Sequence, residues 1–407
     1  MPVVRNNNEI KVTGEYRSAQ LRRMLGAVHH VLERMGYKDV VLDFSRCDNV
    51  FESGMLPLIP VVRNYMVQAK ADFRLKLPFD PKIRALFHNA GWDHWIDPSR
   101  FPDRSNQGAR HLPVLQFRDS KGQTDAVDRL IDQLSRNAQL TKDQLQAIEW
   151  SINEITDNVI NHSESATGGF VQSCLFNRRR VIEFLVADSG IGIPRSLGIK
   201  DHEVALERAI QEGVTRNKAT NQGNGLFGVY RIALVANGQF NLQSYFGNMS
   251  VFEGDVRFAA ETIPYSGTFV RWSISLDAND IISRALVIGG RSHEIGFDYF
   301  DKIVDPERDS VRLKLKEEFK SFGSREAGRE AYSKFKNVLN WGSNSILELS
   351  FSGINIISSS FADEVFGRLF VDLGPIVFMN RIKIVDAESE ILGIIDKAIS
   401  KRFRSPG

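Results

Sequence analysis

The sequence predicts a mixed α/β protein of three domains, with a central α+β sandwich between two smaller α/β domains. Apolar segments with strand character alternate with segments of helical period, which is typical of sheets packed by helices. The 407 residues suffice for two to four domains at roughly 100–200 residues each. A polar stretch at 98–110 and a stop near 277–280 divide the chain. We therefore place the domains at 1–100, 112–278 and 279–407.

The composition argues against several classes of protein. Hydrophobic residues make up 42% and charged residues 25%, as in an ordinary folded protein. Lys and Arg total 52 against 50 for Asp and Glu, so the basic surplus of a nucleic-acid-binding protein is missing. Two cysteines, Cys47 and Cys174, make neither a disulfide framework nor a metal-type spacing. Without a signal pattern or an apolar stretch of membrane-spanning length, we expect a cytoplasmic protein with no membrane partner.

The first domain begins the alternation of strands and helices. VVLDF (Val40–Phe44) and FRLKL (Phe73–Leu77) are short apolar runs that predict strands. Between them, the apolar positions of Ser53–Ala69 recur at helical spacing. Pro57 and Pro60 are expected to confine this helix to a start near them, since proline disrupts a helix interior.

The central domain contains the clearest helix of the sequence, Gln144–Ser163. Its apolar residues recur at alternating steps of three and four, which predicts one buried stripe. Glu154, Asn158 and Asn161 fall together on roughly the opposite face. Glu154 and Asn158 lie one turn apart, so their side chains meet. A solvated polar face is the usual explanation of such residues, and a ligand site is the alternative.

The segment VIEFLVADSGIGI (Val181–Ile193) predicts a strand that ends abruptly at Asp188. A carboxylate there can accept a hydrogen bond from an amine such as the adenine amino group. Gly190 and Gly192 follow, and they would let the backbone approach a ring or adopt a positive φ. A strand-to-loop turn without a ligand explains the same residues.

The third motif is a GxGxxG pattern formed by Gly223, Gly225 and Gly228, which opens a predicted helix. A dinucleotide-binding fingerprint needs an apolar strand directly before the glycines, and the polar run TRNKATNQ stands there instead. The chain has no GxxxxGK[ST] motif either, which excludes a P-loop. A Gly-rich turn at a helix N-terminus still offers free N–H groups to a phosphate. A flexible loop that caps a helix is the alternative.

In this order, the pieces resemble the GHKL (Bergerat-fold) ATP-binding domain shared by gyrase, heat-shock chaperones, histidine kinases and mismatch-repair ATPases. The resemblance covers about Leu112–Leu276. NEITDNVINHS resembles the first box of the family, DSGIG the second, QGNGLFG the third and SGTF the closing Gly-Thr strand. The third box reads GNGLFG where the kinase-type pattern is GxGLG. The resemblance implies that the domain binds ATP and Mg²⁺.

The resemblance also implies a role for each motif residue. Glu154 would orient or activate the attacking water, and Asn158 would hold magnesium together with the phosphates. Asp188 would accept the adenine amino group. The other nucleotide-binding residues would be five glycines and a threonine of the closing strand, namely Gly190, Gly192, Gly223, Gly225, Gly228 and Thr268. Residues 194–222 would form a mobile lid.

The flanking domains resemble STAS-like modules, the fold of anti-sigma-factor antagonists, and SILELSFSGINIISSSFADEVFGRLF in the third domain partly echoes the first. In that family a serine just before a helix can be phosphorylated, which here points to Ser53, Ser359 or Ser360. Asp43 precedes Ser53 by ten residues, as Glu348 precedes Ser358. An N-cap role is the usual explanation of such serines. The resemblance implies a protein partner and leaves a homodimer open.

From these observations we expect a magnesium-dependent ATPase or ATP-gated switch whose lid closure repositions the flanking modules. A protein serine kinase of the anti-sigma-factor type and a non-hydrolysing scaffold are the alternatives, and the acid at Glu154 argues against the scaffold. A phosphohistidine relay would need a histidine-bearing helix pair directly before residue 112. A DNA-processing role would need a topoisomerase-like second domain and a basic surface.

Overall fold

The computed structural model describes residues 3–103, 113–214, 223–288, 290–292, 295–305, 307–342 and 345–404. The fold is mixed α/β, as the sequence predicts. The chain forms two compact units, the first made of Met1–Leu130 and Ala147–Ile295 and the second of Ile131–Gln146 and Gly296–Gly407. None of the described helices has both the length and the apolar character needed to cross a membrane.

The first unit begins with an N-terminal module, Val3–Ile96, built on a four-stranded sheet. Its elements are β1 (Val3–Asn6), β2 (Glu9–Tyr16), α1 (Ser18–His29) continued by a π-helical turn (His30–Arg34), β3 (Asp39–Val50), α2 (Glu52–Gln68), β4 (Asp72–Lys76), α3 (Pro81–Ala90) and α4 (Trp92–Ile96). The strand order is β1-β2-β3-β4, with β1 antiparallel to β2 and the other neighbours parallel. The two strands predicted in this module are confirmed as parts of β3 and β4.

Helix α2 does not begin near its two prolines, so the predicted start of this helix is wrong. The helix begins at Glu52 and passes through both Pro57 and Pro60. Each proline in a helix interior removes a backbone hydrogen bond, at a cost of about 3 kcal/mol. Both prolines are buried, together with Leu56, Ile59 and their neighbours. Burial of each large apolar side chain contributes about 1.5–3 kcal/mol, so the packing of this face outweighs the lost bonds.

The chain from Leu115 to Ser292 forms a five-stranded sheet with its helices, and residues 131–146 of this stretch belong to the second unit. Its elements are β5 (Leu115–Phe117), α5 (Ser120–Asn137), α6 (Lys142–His162), β6 (Gly169–Phe176), β7 (Val181–Asp188), α7 (Gly192–Leu197), α8 (His202–Ala209), α9 (Gly225–Val235), β8 (Phe240–Phe252), β9 (Asp255–Ser275), α10 (Ile281–Ala285), β10 (Val287–Ile288) and β11 (Arg291–Ser292). The order is β5-β6-β7-β9-β8, and all neighbours are antiparallel. The predicted helix over 144–163 and the strand ending at Asp188 are confirmed.

The two faces of the five-stranded sheet bury different partners. Along β7, Val186 and Asp188 point to one face, which carries the cavity described below. Leu185 and Ala187 point to the other face and join the hydrophobic core of the N-terminal module, where α1 and α2 pack against the sheet. The N-terminal module and the central sheet therefore share one continuous core.

The second unit repeats the topology of the N-terminal module. Its elements are α11 (Asp298–Ile303), β12 (Val304–Asp305), β13 (Ser310–Lys314), α12 (Leu315–Glu318), α13 (Arg325–Trp341), β14 (Ile346–Ser350), α14 (Ser359–Ala362) continued by a π-helical turn (Asp363–Gly367), α15 (Arg368–Leu373), α16 (Pro375–Arg381), β15 (Ile382–Val385) and α17 (Ser389–Arg404). The order is β12-β13-β14-β15, with only β12 and β13 antiparallel.

The weak repeat in the sequence thus corresponds to two sheets of the same order and strand direction. Asp43 and Glu348 occupy the third strand of their respective sheets. Each carboxylate lies near a lysine of the following parallel strand, with Asp43 Oδ2 at 3.8 Å from Lys76 Nζ and Glu348 Oε1 at 3.9 Å from Lys383 Nζ. The structure therefore supports the predicted relation between the two modules.

Candidate functional site

A cavity of about 410 Å³ opens between α6, the end of β7 and the start of α9. Small-molecule sites commonly measure about 300–1,000 Å³. The cavity is lined by most of the site residues predicted from the sequence, namely Glu154, Asn158, Asp188, Gly192, Gly223, Gly225 and Thr268. Residues 215–222 of the predicted lid, with Gln222 of the third motif, lie outside the described residues.

Helix α6 places the side chains of Glu154 and Asn158 at the cavity because the opposite face of the helix is buried in the core. The apolar stripe of the helix is fully buried at Leu145, Ile148 and Ile152. Burial raises the pKa of Glu154 to about 7, and the charge of Asp157 adds to this effect. A carboxyl group that titrates near neutrality can accept a proton from a reacting group and return it.

Asp188 is held at the end of β7 by backbone donors. Its side chain is 2% exposed and its Oδ1 accepts a hydrogen bond from the Gly190 N–H at 2.7 Å. The backbone N–H of Thr268 also donates to the carboxylate. Burial raises the pKa of Asp188 to about 7, although these two donors act in the opposite direction. The carboxyl group is therefore fixed in orientation, and further acceptor positions on its oxygens can serve a ligand.

Two of the predicted glycines act through packing instead of lining the cavity. A Cβ at Gly190 would overlap the carbonyl oxygen of Ser163, and a Cβ at Gly228 would overlap the Trp150 ring. The other glycines face the cavity. Gly223 has a φ of 73°, which favours glycine.

Gly225 begins α9 directly beside Glu154. A Cβ at this position would overlap the Glu154 carboxylate. In the part of the chain that the structure describes, the N-cap of α9, Asn224, makes no side-chain cap. A helix N-terminus of this kind can offer its first N–H groups to an anion. The N-terminus of α9 thus lies within the same cavity as the carboxylates.

Several lining residues are not found by the sequence analysis. Trp150 and Asp157 lie on α6 together with the predicted residues, and the proximity of Asp157 to Asn158 along the helix is a signal that could have found it. Leu286 and Ile295 also line the cavity. They follow the boundary predicted near 277–280, and the structure groups them with the first unit.

The oxygen donors of α6 determine which metal the cavity suits. No group of three or more His, Cys, Asp or Glu side chains that could hold a metal occurs in the part of the chain that the structure describes. Glu154, Asp157 and Asn158 line the cavity with carboxylate and amide oxygens. Mg²⁺ is usually bound by one or two such protein ligands together with substrate phosphates and water. Oxygen donors of this kind are compatible with Mg²⁺ that is bound together with phosphate groups.

The serines considered as phosphate acceptors have different surroundings. Ser53 is buried near the start of α2. Ser358 caps α14 by accepting the Phe361 N–H at 3.1 Å, and its hydroxyl lies 3.0 Å from that of Ser360. Ser359 is exposed at the first position of that helix. The structural role as an N-cap applies to Ser358, whereas Ser359 offers an accessible hydroxyl.

Comparison with protein families identifies one segment of the second unit. Residues 327–392 match the family model described as a STAS-like domain of unknown function (DUF4325). The matched segment runs from α13 through β14 and β15 into α17. The expectation of a STAS-like domain is confirmed for this segment. A comparison of the chain with curated proteins finds no match.

Proposed function

We propose that residues 112–278 form a GHKL-type ATP-binding domain and that the protein is a magnesium-dependent ATP-binding and ATP-hydrolysing switch acting through STAS-like modules. One observation carries the proposal. One cavity of about 410 Å³ is lined by Glu154 and Asn158 of α6, by the buried Asp188 of β7 and by Gly225 at the N-terminus of α9. These elements are distant in sequence, and their chemistries suit the base, the phosphates and the metal ion of a magnesium–nucleotide complex.

The end of β7 would recognise the base. Asp188 is oriented by backbone N–H groups and has an acceptor position for the amino group of adenine. In this buried position a hydrogen bond to an ionised carboxylate contributes about 1.5–3 kcal/mol. Asp188 would therefore select adenine over a base with a carbonyl oxygen at the same place.

The start of α9 and the polar face of α6 would act at the phosphates. The first N–H groups of α9, from Gly225 onward, would bind phosphate oxygens. Asn158, with Asp157 beside it, would hold the magnesium ion. When bound, ATP would supply the transferable phosphoryl group, and magnesium would neutralise the charge of the phosphates. Glu154, whose pKa is raised to about 7, would accept the proton of the attacking water.

The modules would provide the output of the switch. The N-terminal module has the strand order and directions of the second unit, which supports a STAS-like assignment for it as well. We propose that a protein partner binds these modules and that closure of the lid over ATP repositions the modules. Ligand binding can shift such an equilibrium only through contacts that differ between the two states.

A serine kinase is the second candidate function, and the exposure of Ser359 favours it. In this alternative the phosphoryl group would pass to a serine hydroxyl instead of water. The hydroxyl oxygen would form the new bond to phosphorus, ADP would leave, and Glu154 would accept the hydroxyl proton. Ser53 is the weaker acceptor because its side chain is buried.

Calorimetry with ATP and Mg²⁺, followed by the fate of a γ-labelled phosphate, tests the proposal. We expect a dissociation constant for ATP in the micromolar to millimolar range and release of free labelled phosphate. Label on Ser359 instead would indicate the kinase. Glu154→Gln, which keeps the size of the side chain, should retain ATP affinity and lose phosphate release. Absence of ATP binding to the folded wild-type protein would refute the proposal, and binding without turnover would support the scaffold.

A further inference from the structure

Arg22 of the N-terminal module is buried against the strands that support the candidate site. Arg22 lies on α1, and the residue is 8% exposed. Nη1 donates to the carbonyl oxygens of Tyr245 and Ile263, both at 2.8 Å, and Nη2 donates to Gln243 Oε1 at 3.1 Å. None of the ion pairs found among the described residues includes Arg22. Its hydrogen-bond acceptors are neutral, and the charge of Glu261 favours its ionised form without an ion pair between the two. A cation buried outside an ion pair is costly, which points to a role for Arg22.

The backbone that Arg22 contacts is irregular. The β8–β9 pairing shifts its register on both sides of Tyr245, between Ser244 and Gly247. Tyr245 adopts a φ of 49°, which is uncommon for a bulky residue. Such a conformation persists only where the surroundings hold it. Arg22 binds the carbonyl of this same residue, so it holds the β-bulge from the side of the N-terminal module.

The other side of the bulge contacts the part of the cavity around Asp188, where the proposed function places adenine. Ser244 Oγ donates to the Gly267 carbonyl at 2.7 Å and accepts the Ile193 N–H at 2.9 Å. The Tyr265 hydroxyl donates to the Asp188 carbonyl oxygen at 3.1 Å. The residue after Gly267 is Thr268, whose N–H donates to the Asp188 carboxylate. Each of these bonds fixes a group that lines the cavity or orients Asp188.

We propose that Arg22 is a positioning residue for adenine recognition, acting through the β-bulge at Tyr245 on Asp188 and Thr268. This inference rests on the proposed function. It makes the N-terminal module a structural part of the nucleotide site. Because coupling between two sites is reciprocal, ATP binding should in turn stabilise α1.

The test compares ATP with ITP, which carries a carbonyl oxygen in place of the adenine amino group. Arg22→Met removes the guanidinium and keeps an unbranched apolar side chain. Arg23→Met is the matched control, since Arg23 is exposed on the same helix. We expect the ATP:ITP affinity ratio to fall by about 5- to 150-fold in Arg22→Met, the usual size of coupling between sites, and to stay unchanged in the control. An equal loss for both nucleotides would indicate a merely structural role and overturn the inference.

Tyr265→Phe provides a second variant in case Arg22→Met does not fold. It removes only the hydroxyl that binds the Asp188 carbonyl, and we expect the same ratio to fall by about 2- to 12-fold, the worth of one neutral hydrogen bond. Hydrogen exchange supplies the reciprocal measurement, with ATP slowing exchange of residues 18–29 in the wild type. A folded Tyr265→Phe protein with the wild-type ratio would refute the inference alone. Wild-type protein that binds no ATP would refute the proposed function itself.

Discussion

Replacement of Asp188 by Asn tests base recognition at one atom. An asparagine oxygen at the Oδ1 position can still accept the backbone N–H of Gly190, so the loop keeps this anchor. The amide nitrogen then faces the adenine amino group, and two donors meet. Loss of a hydrogen bond to a charged acceptor costs about 1.5–3 kcal/mol. We expect ATP affinity to fall by roughly ten- to 150-fold.

The pH dependence of binding strengthens this test. The pKa of Asp188 is raised to about 7, so the protonated form predominates below that pH. Because the amino group of adenine binds the ionised form better, wild-type affinity should fall by up to about tenfold per pH unit below 7. The Asp188→Asn protein lacks this titration. The titration of ATP itself is common to both proteins and cancels in their comparison.

Calorimetry between pH 5.5 and 8 measures both effects, and thermal unfolding without nucleotide controls for the fold. Asp277→Asn is the matched control, because Asp277 is an exposed carboxylate just beyond β9. ITP should lose less affinity than ATP in Asp188→Asn, since the amide nitrogen can donate to its carbonyl oxygen. A folded variant with wild-type ATP affinity at every pH would remove Asp188 from the site.

The remaining predictions concern catalysis, packing, stability and phosphorylation. Glu154→Ala should lower phosphate release by roughly 10²–10⁴-fold while ATP still binds in calorimetry, and equal turnover would exclude it as the base. Gly190→Ala should lower the free energy of unfolding by about 1–3 kcal/mol in urea, because its Cβ would overlap the backbone carbonyl of Ser163, whereas Gly393→Ala in α17, with open space around it, should not destabilise. Because burial raises the pKa of Asp188 and Glu154 to about 7, the folded state binds more protons than the unfolded state between pH 4 and 7, and the contribution of these groups to stability should fall as pH rises through that interval. Urea unfolding of Asp188→Asn over the same interval should show a weaker decline, and an identical one would contradict the assignment. Mass spectrometry after incubation with ATP and Mg²⁺ should find Ser359 unmodified, and stoichiometric phosphate there, absent in Glu154→Ala, would favour the kinase.

Much of the candidate site follows from local patterns of the sequence. The helical period of α6 places Glu154 and Asn158 on one face because the opposite stripe must be buried. An apolar run that stops at Asp188 predicts a carboxylate at a strand end, which the structure shows at the end of β7. These features depend on residues within one or two turns of each other. The period of the backbone is therefore enough to predict them.

Other features required the tertiary structure. Pro57 and Pro60 lie inside α2 because the burial of this helix outweighs the low helix propensity of proline. Leu286 and Ile295 line the cavity although they follow a predicted boundary. Leu286 directly follows α10, and the packing of α10 on α9 brings it to the cavity. No periodicity in the sequence indicates either outcome.

The support of Asp188 shows the same limit most clearly. Arg22 contacts Tyr245 and Ile263, which are separated from it by 223 and 241 positions along the chain. In the sequence, nothing distinguishes Arg22 from the neighbouring Arg23. Its burial and its three acceptors arise only when α1 packs against the five-stranded sheet. Local periodicity thus determined the elements and the groups that face the cavity, whereas the long-range packing of two apolar surfaces decided what holds those groups in place.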